Sequence, residues 1–303
     1  MKEVLYRAKD TDTTTTLSVD TGQFPQTYNS IILRRTIGRS HHQFYGVRDM
    51  SYCMDVLGFA VKHIPTPIAS RLSSSGIGDL FNLARSLTTT TEPVVISAPH
   101  GSVVVQAPAS STFHQIVEEE GRYEYPFVED LSRNLETSDV FYDIGAQFGV
   151  FGIIAMEAGV DPEHIHAFEK DSFAAPIAKK NLGDKTHVIQ KLVGDGDGSV
   201  TIDKYATERD PPTVVKIDVE GAEGRVLEGM ERTLDSISVA YVEVHPQFLP
   251  QFGDDPQTVF EQLETFSLSI LEDHRDEGEV WRSLEEADPP DETAYLIRAS
   301  ADR

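Results

Sequence analysis

The chain has 303 residues, enough for one large core with an extension, and it carries 50 acidic against 26 basic side chains. The net charge of −24 argues against nucleic-acid backbones and anionic membranes as partners. The single cysteine, Cys53, excludes an internal disulfide and a cysteine-based metal cluster, so a reducing cytoplasm is the expected location. No apolar run reaches the roughly 18 residues that span a bilayer, so no transmembrane segment is expected.

The acidic excess is spread along the chain, and arginine is commoner than lysine. This pattern resembles the composition of halophilic proteins, which work in concentrated salt. An ordinary acidic soluble protein has a similar composition, so both interpretations stay open.

Residues 1–90 are expected to form an N-terminal extension. Residues 1–30 are rich in Thr and Asp without a stable period, which predicts a loosely docked lead-in. Apolar residues then recur at helical spacing over residues 50–61 and 77–87, which predicts two helices joined by a serine-rich linker. These helices either cap a substrate pocket or serve packing alone, and both roles fit the pattern.

Residues 91–303 are expected to form the main domain, which divides at residue 139. Its first part, 91–138, contains a predicted hairpin and a lead-in helix at 127–135. From 139 onward strands alternate with helices, which indicates a doubly wound, mostly parallel α/β sheet covered on both faces. The predicted strands are residues 140–144, 165–169, 187–193, 214–219, 239–244, 268–271 and 294–299. The predicted helices are residues 150–158, 173–181, 222–234 and 256–266.

The first of these strands leads into a glycine turn, Asp143-Ile-Gly-Ala-Gln-Phe-Gly149. Such a turn brings backbone N–H groups close to a nucleotide-type ligand. Dinucleotide dehydrogenases use Gly-x-Gly-x-x-Gly, whose second glycine admits a pyrophosphate, and that glycine is missing here. An acid at the first position repels a pyrophosphate but can pair with the α-amino group of S-adenosylmethionine. The turn therefore favours S-adenosylmethionine over a nicotinamide cofactor.

Two further positions suit a nucleoside. Glu169 lies at the end of the second strand, twenty residues after Gly149, where a carboxylate can bind both ribose hydroxyls. Val193 and Asp195, after the third strand, are expected to lie beside the adenine. The turn that contains Asp195 and Asp197 also suggests calcium, but it lacks the twelfth-position Glu of an EF-hand loop and is predicted to be solvated.

A second group of reactive side chains follows the fourth and fifth strands. Asp218, Glu220 and Glu223 lie at the end of the fourth strand, where alternation predicts that Asp218 and Glu220 share a face. His245 follows the fifth strand at the same edge and can take a proton from a hydroxyl during methyl transfer. It could equally be a metal ligand with Asp218 or Glu220. Because acids also cap helix N-termini, we expect capping and catalysis to be divided among the three acids.

These segments, taken in order, resemble the FkbM-type methyltransferase family. The matching segments are Asp143-Ile-Gly-Ala-Gln-Phe-Gly149, Ala167-Phe-Glu-Lys170, Val200-Thr-Ile-Asp203, Lys216-Ile-Asp-Val-Glu-Gly-Ala-Glu223 and Val242-Glu-Val-His245. The resemblance covers about residues 121–299, and the block at 216–223 is its most specific part. It implies a class I methyltransferase fold, a Rossmann-like sheet of seven strands whose last strand is antiparallel. The helical N-terminal extension expected here lies outside the resemblance.

The resemblance also implies an activity, the transfer of a methyl group from S-adenosylmethionine to an oxygen of a sugar, a polyketide or a similar small acceptor. The implied cofactor contacts are Asp143, Gly145, Gln147, Gly149, Glu169, Lys170, Val193 and Asp195. The implied acceptor-facing residues are Asp218, Glu220 and His245. Gln147 and Lys170 stand where the family usually has Asn and Pro. The alternative function is a regulatory subunit that binds S-adenosylmethionine without catalysis.

Overall fold

The computed structural model describes the backbone of residues 14–15, 32–37 and 41–46, and it describes residues 89–196, 198–273 and 278–301 in full. The chain divides into two compact units, residues 1–88 and 89–303. The expected domain boundary at residue 90 stays a prediction. The helices expected at 50–61 and 77–87 lie outside the described residues, as does Asp197.

The described part of the N-terminal unit is a small antiparallel sheet. Its strands are β1 (Thr14–Thr15), β2 (Ile32–Ile37) and β3 (His41–Gly46), in the order β1-β2-β3. Within the stretch predicted to be a loosely docked lead-in, the two residues of β1 pair with β2, and the lead-in stays a prediction. Pairing between distant segments leaves no signal in the local sequence pattern.

The second unit begins with the predicted hairpin, which the structure confirms as β4 (Thr91–Ala98) and β5 (Gly101–Pro108). The hairpin forms its own two-stranded sheet, and its alternation buries Val94 and Ile96 while Val95 remains exposed. A helix that the sequence analysis did not predict follows at once, α1 (Thr112–Glu120), with Ser111 as its N-cap.

The predicted doubly wound sheet is confirmed. Its strands are β6 (Phe141–Ile144), β7 (Ile165–Phe168), β8 (His187–Ile189), β9 (Val214–Ile217), β10 (Val239–Val244), β11 (Ser267–Leu271), β12 (Arg282–Ser283) and β13 (Tyr295–Ser300). The order is β12-β11-β13-β10-β9-β6-β7-β8, in which β13 runs antiparallel to both neighbours, as predicted. The described sheet has eight strands instead of seven, because the two residues of β12 pair with the edge of β11.

Helices cover both faces of this sheet. They are α2 (Tyr125–Asn134), α3 (Val150–Glu157), α4 (Ala174–Leu182), α5 (Ile202–Tyr205), α6 (Glu223–Glu228) and α7 (Pro256–Gln262). Strand alternation divides the core, since Phe141 packs with the hairpin and α1 to α4 whereas Tyr142 packs with α6 and α7. Within the described ranges, no helix is long and apolar enough to cross a membrane.

Several predicted element ends are wrong. β8 ends at Ile189, not 193, because the chain turns there and the amide of Lys191 bonds to the Ile189 carbonyl. β9 ends at Ile217, not 219. α6 ends at Glu228 instead of 234, because the carboxylate of Asp203 accepts the amides of Arg232 and Thr233 and so removes them from the helix. α7 likewise ends at Gln262, short of the predicted 266, and α5 was not predicted.

Candidate active site

The glycine turn after β6 packs closely against the end of β9. Gly145 has a φ of +87°, and a Cβ added there would lie 1.7 Å from the carbonyl oxygen of Asp218. At Gly149, with a φ of +79°, a Cβ would lie 2.9 Å from the side chain of Leu182. Both glycines are therefore required by the packing of the chain itself. Their expected contacts with a cofactor stay predictions.

Glu169 joins this turn to the tip of β7. One carboxylate oxygen accepts the amide of Gln147 at 2.8 Å, and the other accepts the amide of Asp171 at 2.7 Å. Burial raises the pKa of Glu169 to about 7, although both hydrogen bonds act to lower it. Each oxygen keeps a second lone pair for a further donor. Gln147 itself is exposed and has a φ of +46°, a conformation that the family's usual Asn adopts more readily.

Asp143 lies in β6, just before the glycine turn, and is fully buried. Neither of its carboxylate oxygens has a hydrogen-bond partner among the described residues, and the Nζ atom of Lys216 lies 4.0 Å from Oδ1. Burial raises the pKa of Asp143 to about 6, against the opposing effect of Lys216. The structure therefore pairs Asp143 with an internal cation. Its expected contact with the methionine end of a cofactor stays a prediction.

Lys216 is the central cation of the site. Its Nζ atom donates to Asp218 at 3.0 Å and lies 4.5 Å from the ring centre of Phe151. Burial alone would lower the pKa of Lys216, but the charges of Asp218 and Asp143 raise it above the ordinary lysine value. The ammonium thus links the end of β9 to the interior of β6.

His245 is held from outside the sheet by Glu223, the first residue of α6. Nδ1 of His245 lies 2.8 Å from Oε1 of the fully buried Glu223, which also accepts the amide of Gly221. Nε2 lies 3.6 Å from Glu243 on the same face of β10. Burial would lower the pKa of His245, but Glu223 and Glu243 raise it to about 9. Glu223 therefore both caps the turn before α6 and orients the imidazole.

The structure brings two of the three predicted acceptor-facing residues together. One ligand atom each from Asp218, Glu243 and His245 lies within 4.8 Å of the other two. Glu220 is not part of this group; it is exposed and has a φ of +56°. The prediction that alternation places Glu220 on the face of Asp218 is wrong, because β9 ends at Ile217 before the alternation can reach it.

The expected adenine contacts lie in the turn after β8 and beside α6. Val193 is buried and pairs with Val200, and Gly194 after it packs against Arg225 of α6. Asp195 is exposed and lies beside Glu228 at the end of the same helix, where its charge helps to raise the pKa of Glu228 after the effect of burial. Lys170 is exposed next to Glu169. The roles assigned to these residues stay predictions.

Two acids of the site, Glu243 and Glu124, are not predicted from the sequence. Glu243 lies two residues before His245, and strand alternation alone could have placed both on one face. Glu124 precedes α2 with a φ of +45° and is buried, and its charge helps to raise the pKa of Glu243 to about 8 after burial and Asp218. No local pattern marks Glu124, because its place depends on how α2 packs against the sheet.

The carboxyl edge of the sheet is therefore rich in carboxylates. The acids at or beneath it are Glu124, Asp143, Glu169, Asp218, Glu223 and Glu243. Such a set disfavours a phosphate-bearing ligand and favours a cationic one. A histidine beside carboxylates can also accept a proton or bind a metal ion.

Part of the second unit is similar to a known enzyme family. Residues 154–278, starting within α3, match the sequence model of the methyltransferase FkbM domain, and the match covers 125 of the 303 residues. The chain is a methyltransferase, in agreement with the resemblance seen in its motifs.

Proteins similar to this chain include a hexuronic acid methyltransferase and several solved structures. The hexuronic acid methyltransferase AglP of Haloferax volcanii is 28% identical over 188 residues, which cover 52% of this chain and 76% of that protein. A methyltransferase FkbM from Methylobacillus flagellatus aligns with a TM-score of 0.38 at 17% identity, over 55% of this chain and 45% of that one. A precorrin-6y C5,15-methyltransferase from Geobacter metallireducens aligns with a TM-score of 0.37 at 16% identity, over 56% of this chain and 84% of that one.

Proposed function

We propose that this chain transfers a methyl group from S-adenosylmethionine to an oxygen atom of a sugar. The match to the methyltransferase FkbM domain and the hexuronic acid methyltransferase relative support this proposal. The observation that carries the choice of cofactor is Glu169, a nearly buried carboxylate at the tip of β7 whose oxygens keep lone pairs for two ribose hydroxyls.

The chemistry of the carboxyl edge fits this cofactor. S-adenosylmethionine is cationic and supplies an activated methyl group when bound. Asp143, Gly145, Gln147 and Gly149 would hold its methionine end, and Glu169 and Lys170 would hold its ribose. Val193 and Asp195 would lie toward the adenine. The carboxylates of the edge attract this cation and repel a pyrophosphate, which favours S-adenosylmethionine over a dinucleotide.

The protein has two tasks in the reaction. It holds the acceptor oxygen in line with the sulfur–methyl bond, at about 3 Å, and it removes the proton of the hydroxyl. Asp218, Glu220 and His245 would face the acceptor, and His245 and Glu220 are the two candidate proton acceptors. His245 must be neutral to act as a base, so in that role its raised pKa predicts a rate that increases with pH up to about 9.

The cofactor assignment is tested by calorimetry. Glu169→Gln keeps the size of the side chain but weakens two charge-assisted hydrogen bonds, so we expect its affinity for S-adenosylmethionine to fall about tenfold to a hundredfold. Glu163→Gln, a surface residue paired with Lys185, serves as the matched control and should bind normally. If neither S-adenosylmethionine nor its demethylated product gives a binding signal with the unaltered chain, the assignment fails.

The reaction is tested with methyl-labelled S-adenosylmethionine and a panel of hexuronic acids and neutral hexoses, both free and linked to nucleotides. We expect label to appear in a methyl ether of a sugar hydroxyl or in a methyl ester of a hexuronic acid carboxylate. Removal of the true base should lower turnover about 10²- to 10⁴-fold with cofactor affinity unchanged. Binding of the cofactor without labelling of any acceptor, including a pool of cell glycans, would instead favour the regulatory subunit.

A further inference from the structure

Three side chains meet where β9 and β10 end side by side. Because Ile217 pairs with Val242 in parallel register, Asp218 comes next to Glu243 and His245. One ligand atom from each lies within 4.8 Å of the others. Glu243 and His245 are only 7% and 8% exposed, whereas the side chain of Asp218 is 29% exposed and leaves the group accessible from solvent. Two carboxylates and one imidazole thus converge on one small and largely buried volume.

The imidazole is fixed from behind. Glu223, which is not one of the three, lies 2.8 Å from Nδ1 of His245 and is itself tied to the amide of Gly221. When His245 is neutral, this carboxylate holds the proton on Nδ1, so that the lone pair of Nε2 points toward Glu243, 3.6 Å away. Metal-binding histidines have this arrangement, in which an outer carboxylate holds the nitrogen that does not touch the metal.

The three converging residues also lie in strongly acidic surroundings. Lys216 is within electrostatic range of four carboxylates, those of Glu124, Asp143, Asp218 and Glu243, and its Nζ atom donates to Asp218. Buried carboxylates are stabilised when they are paired or coordinate a metal, so these surroundings favour a cation where the three residues meet.

We propose that Asp218, Glu243 and His245 bind one divalent cation of the Mn²⁺ type, which accepts both carboxylate oxygen and imidazole nitrogen ligands. Glu223 is the outer carboxylate that orients His245. The positioning role of this ion rests on the proposed function: it attracts the oxygen atoms of an acceptor sugar to an edge that would otherwise repel an anionic one. His245 is then a metal ligand instead of the proton acceptor.

Binding is tested with Mn²⁺ alone. The purified full chain, freed of metals with a chelator, is titrated with Mn²⁺ while free Mn²⁺ is followed by electron paramagnetic resonance. Molar potassium chloride in the buffer suppresses weak binding to the acidic surface. We expect one site per chain, and pulsed measurements on the bound ion should show coupling to an imidazole nitrogen. This readout uses the unaltered chain, so it does not depend on the folding of any variant.

Substitutions then locate the site. Glu243→Gln and His245→Ala should each weaken Mn²⁺ binding at least tenfold, and Glu223→Gln should weaken it about tenfold to a hundredfold through the orientation of His245. Glu264→Gln, which removes one exposed carboxylate that is not among the proposed ligands, should leave the Mn²⁺ affinity unchanged. The proposal is overturned if Mn²⁺ does not bind, if bound Mn²⁺ shows no nitrogen coupling, or if the folded Glu243→Gln chain binds it as the unaltered chain does.

Failure of this proposal and failure of the proposed function give different results. Full methyl transfer by the chelator-treated chain, together with no Mn²⁺ binding, overturns the metal site and leaves the methyltransferase assignment standing. Specific Mn²⁺ binding without methylation of any sugar supports the metal site and counts against the sugar acceptor. His245→Ala separates the two roles of this residue, because a base that is not a ligand would keep Mn²⁺ affinity and lose turnover only.

Discussion

Lys216 is a buried ammonium that holds two strands together through charge. It lies between Asp218, at 3.0 Å, and the fully buried Asp143, at 4.0 Å, with the ring of Phe151 beside it. A buried ion pair adds little net stability over an apolar replacement of both partners, but the loss of one partner leaves the other charge uncompensated. The lysine is thus a requirement for Asp143 to be ionised in the folded chain.

We predict that Lys216→Met lowers the free energy of unfolding by about 3–5 kcal/mol, because it strands the carboxylate of Asp143 in the core. Urea unfolding measures the loss. Adding Asp143→Asn to the Lys216→Met chain should recover part of it, because the second change removes the stranded charge. A loss below about 1 kcal/mol in the single variant would contradict the assignment.

Glu169 gives a pH dependence of known sign. Its folded pKa of about 7 lies above the ordinary glutamate value, so the folded chain holds this proton more tightly than the unfolded chain does. The free energy of unfolding should therefore fall by up to about 3 kcal/mol as pH rises from the ordinary glutamate pKa to just above the folded pKa of about 7. Glu169→Gln should remove that part of the pH dependence, as measured by urea unfolding at pH 5 and pH 8.

The affinity for S-adenosylmethionine should follow the opposite trend. Because the ionised carboxylate is the form that accepts both ribose hydroxyls, affinity should rise as pH increases toward 7 and beyond. Calorimetry across this range checks the prediction, with Glu163→Gln as the control that keeps the trend. An affinity that is flat with pH would remove Glu169 from the ribose site.

At the level of elements, the hairpin and the glycine turn are joined by one side chain. Asn181, in the last turn of α4, exchanges two hydrogen bonds with the backbone of Gln106 in β5, both at 2.9 Å. Its amide also donates to the carbonyl of Phe148 in the glycine turn at 2.8 Å. The hairpin is therefore tied, through a single residue, to the backbone that is expected to hold the cofactor.

We predict that Asn181→Asp destabilises the chain by about 2–4 kcal/mol, because a carboxylate cannot donate to the two carbonyls that the amide now satisfies. The same change should weaken the binding of S-adenosylmethionine, since Phe148 is part of the turn. Thermal unfolding and calorimetry measure the two effects. Lys180→Ala, an exposed neighbour in α4, is the control. Normal cofactor affinity in a destabilised Asn181→Asp chain would show that the turn is held by other contacts.

The sequence predicted those site residues that lie at strand ends within strong patterns. Asp218 and His245 follow runs of apolar residues, and parallel strands bring such ends to one edge, so their meeting could be predicted. The alternation argument for Glu220 failed because β9 ends at Ile217, two residues before the predicted end, and side chains alternate only within a strand. Glu124 could not be predicted, since only the packing of α2 against the sheet brings it there.

For the whole molecule, the dominant electrostatic feature is the charge of −24. Mutual repulsion among carboxylates opposes the compact state, and salt screens it. We predict that the urea midpoint of unfolding rises with potassium chloride, from dilute buffer into the molar range. Unfolding that is independent of potassium chloride would contradict the halophilic interpretation of the composition and would favour an ordinary acidic protein.

The antiparallel strand β13 has a consequence for the choice of acceptor. Tyr295 pairs with Val244, so the chain enters β13 at the edge where β10 delivers Glu243 and His245. The segment at 284–294 therefore borders the reactive group, and the charges of Asp291 and Glu223 both act on Tyr295 after burial has raised its pKa. This segment lies outside the strands and on the side away from the glycine turn. If the proposed function holds, exchanging this segment should change which acceptor is methylated and leave the affinity for S-adenosylmethionine unchanged.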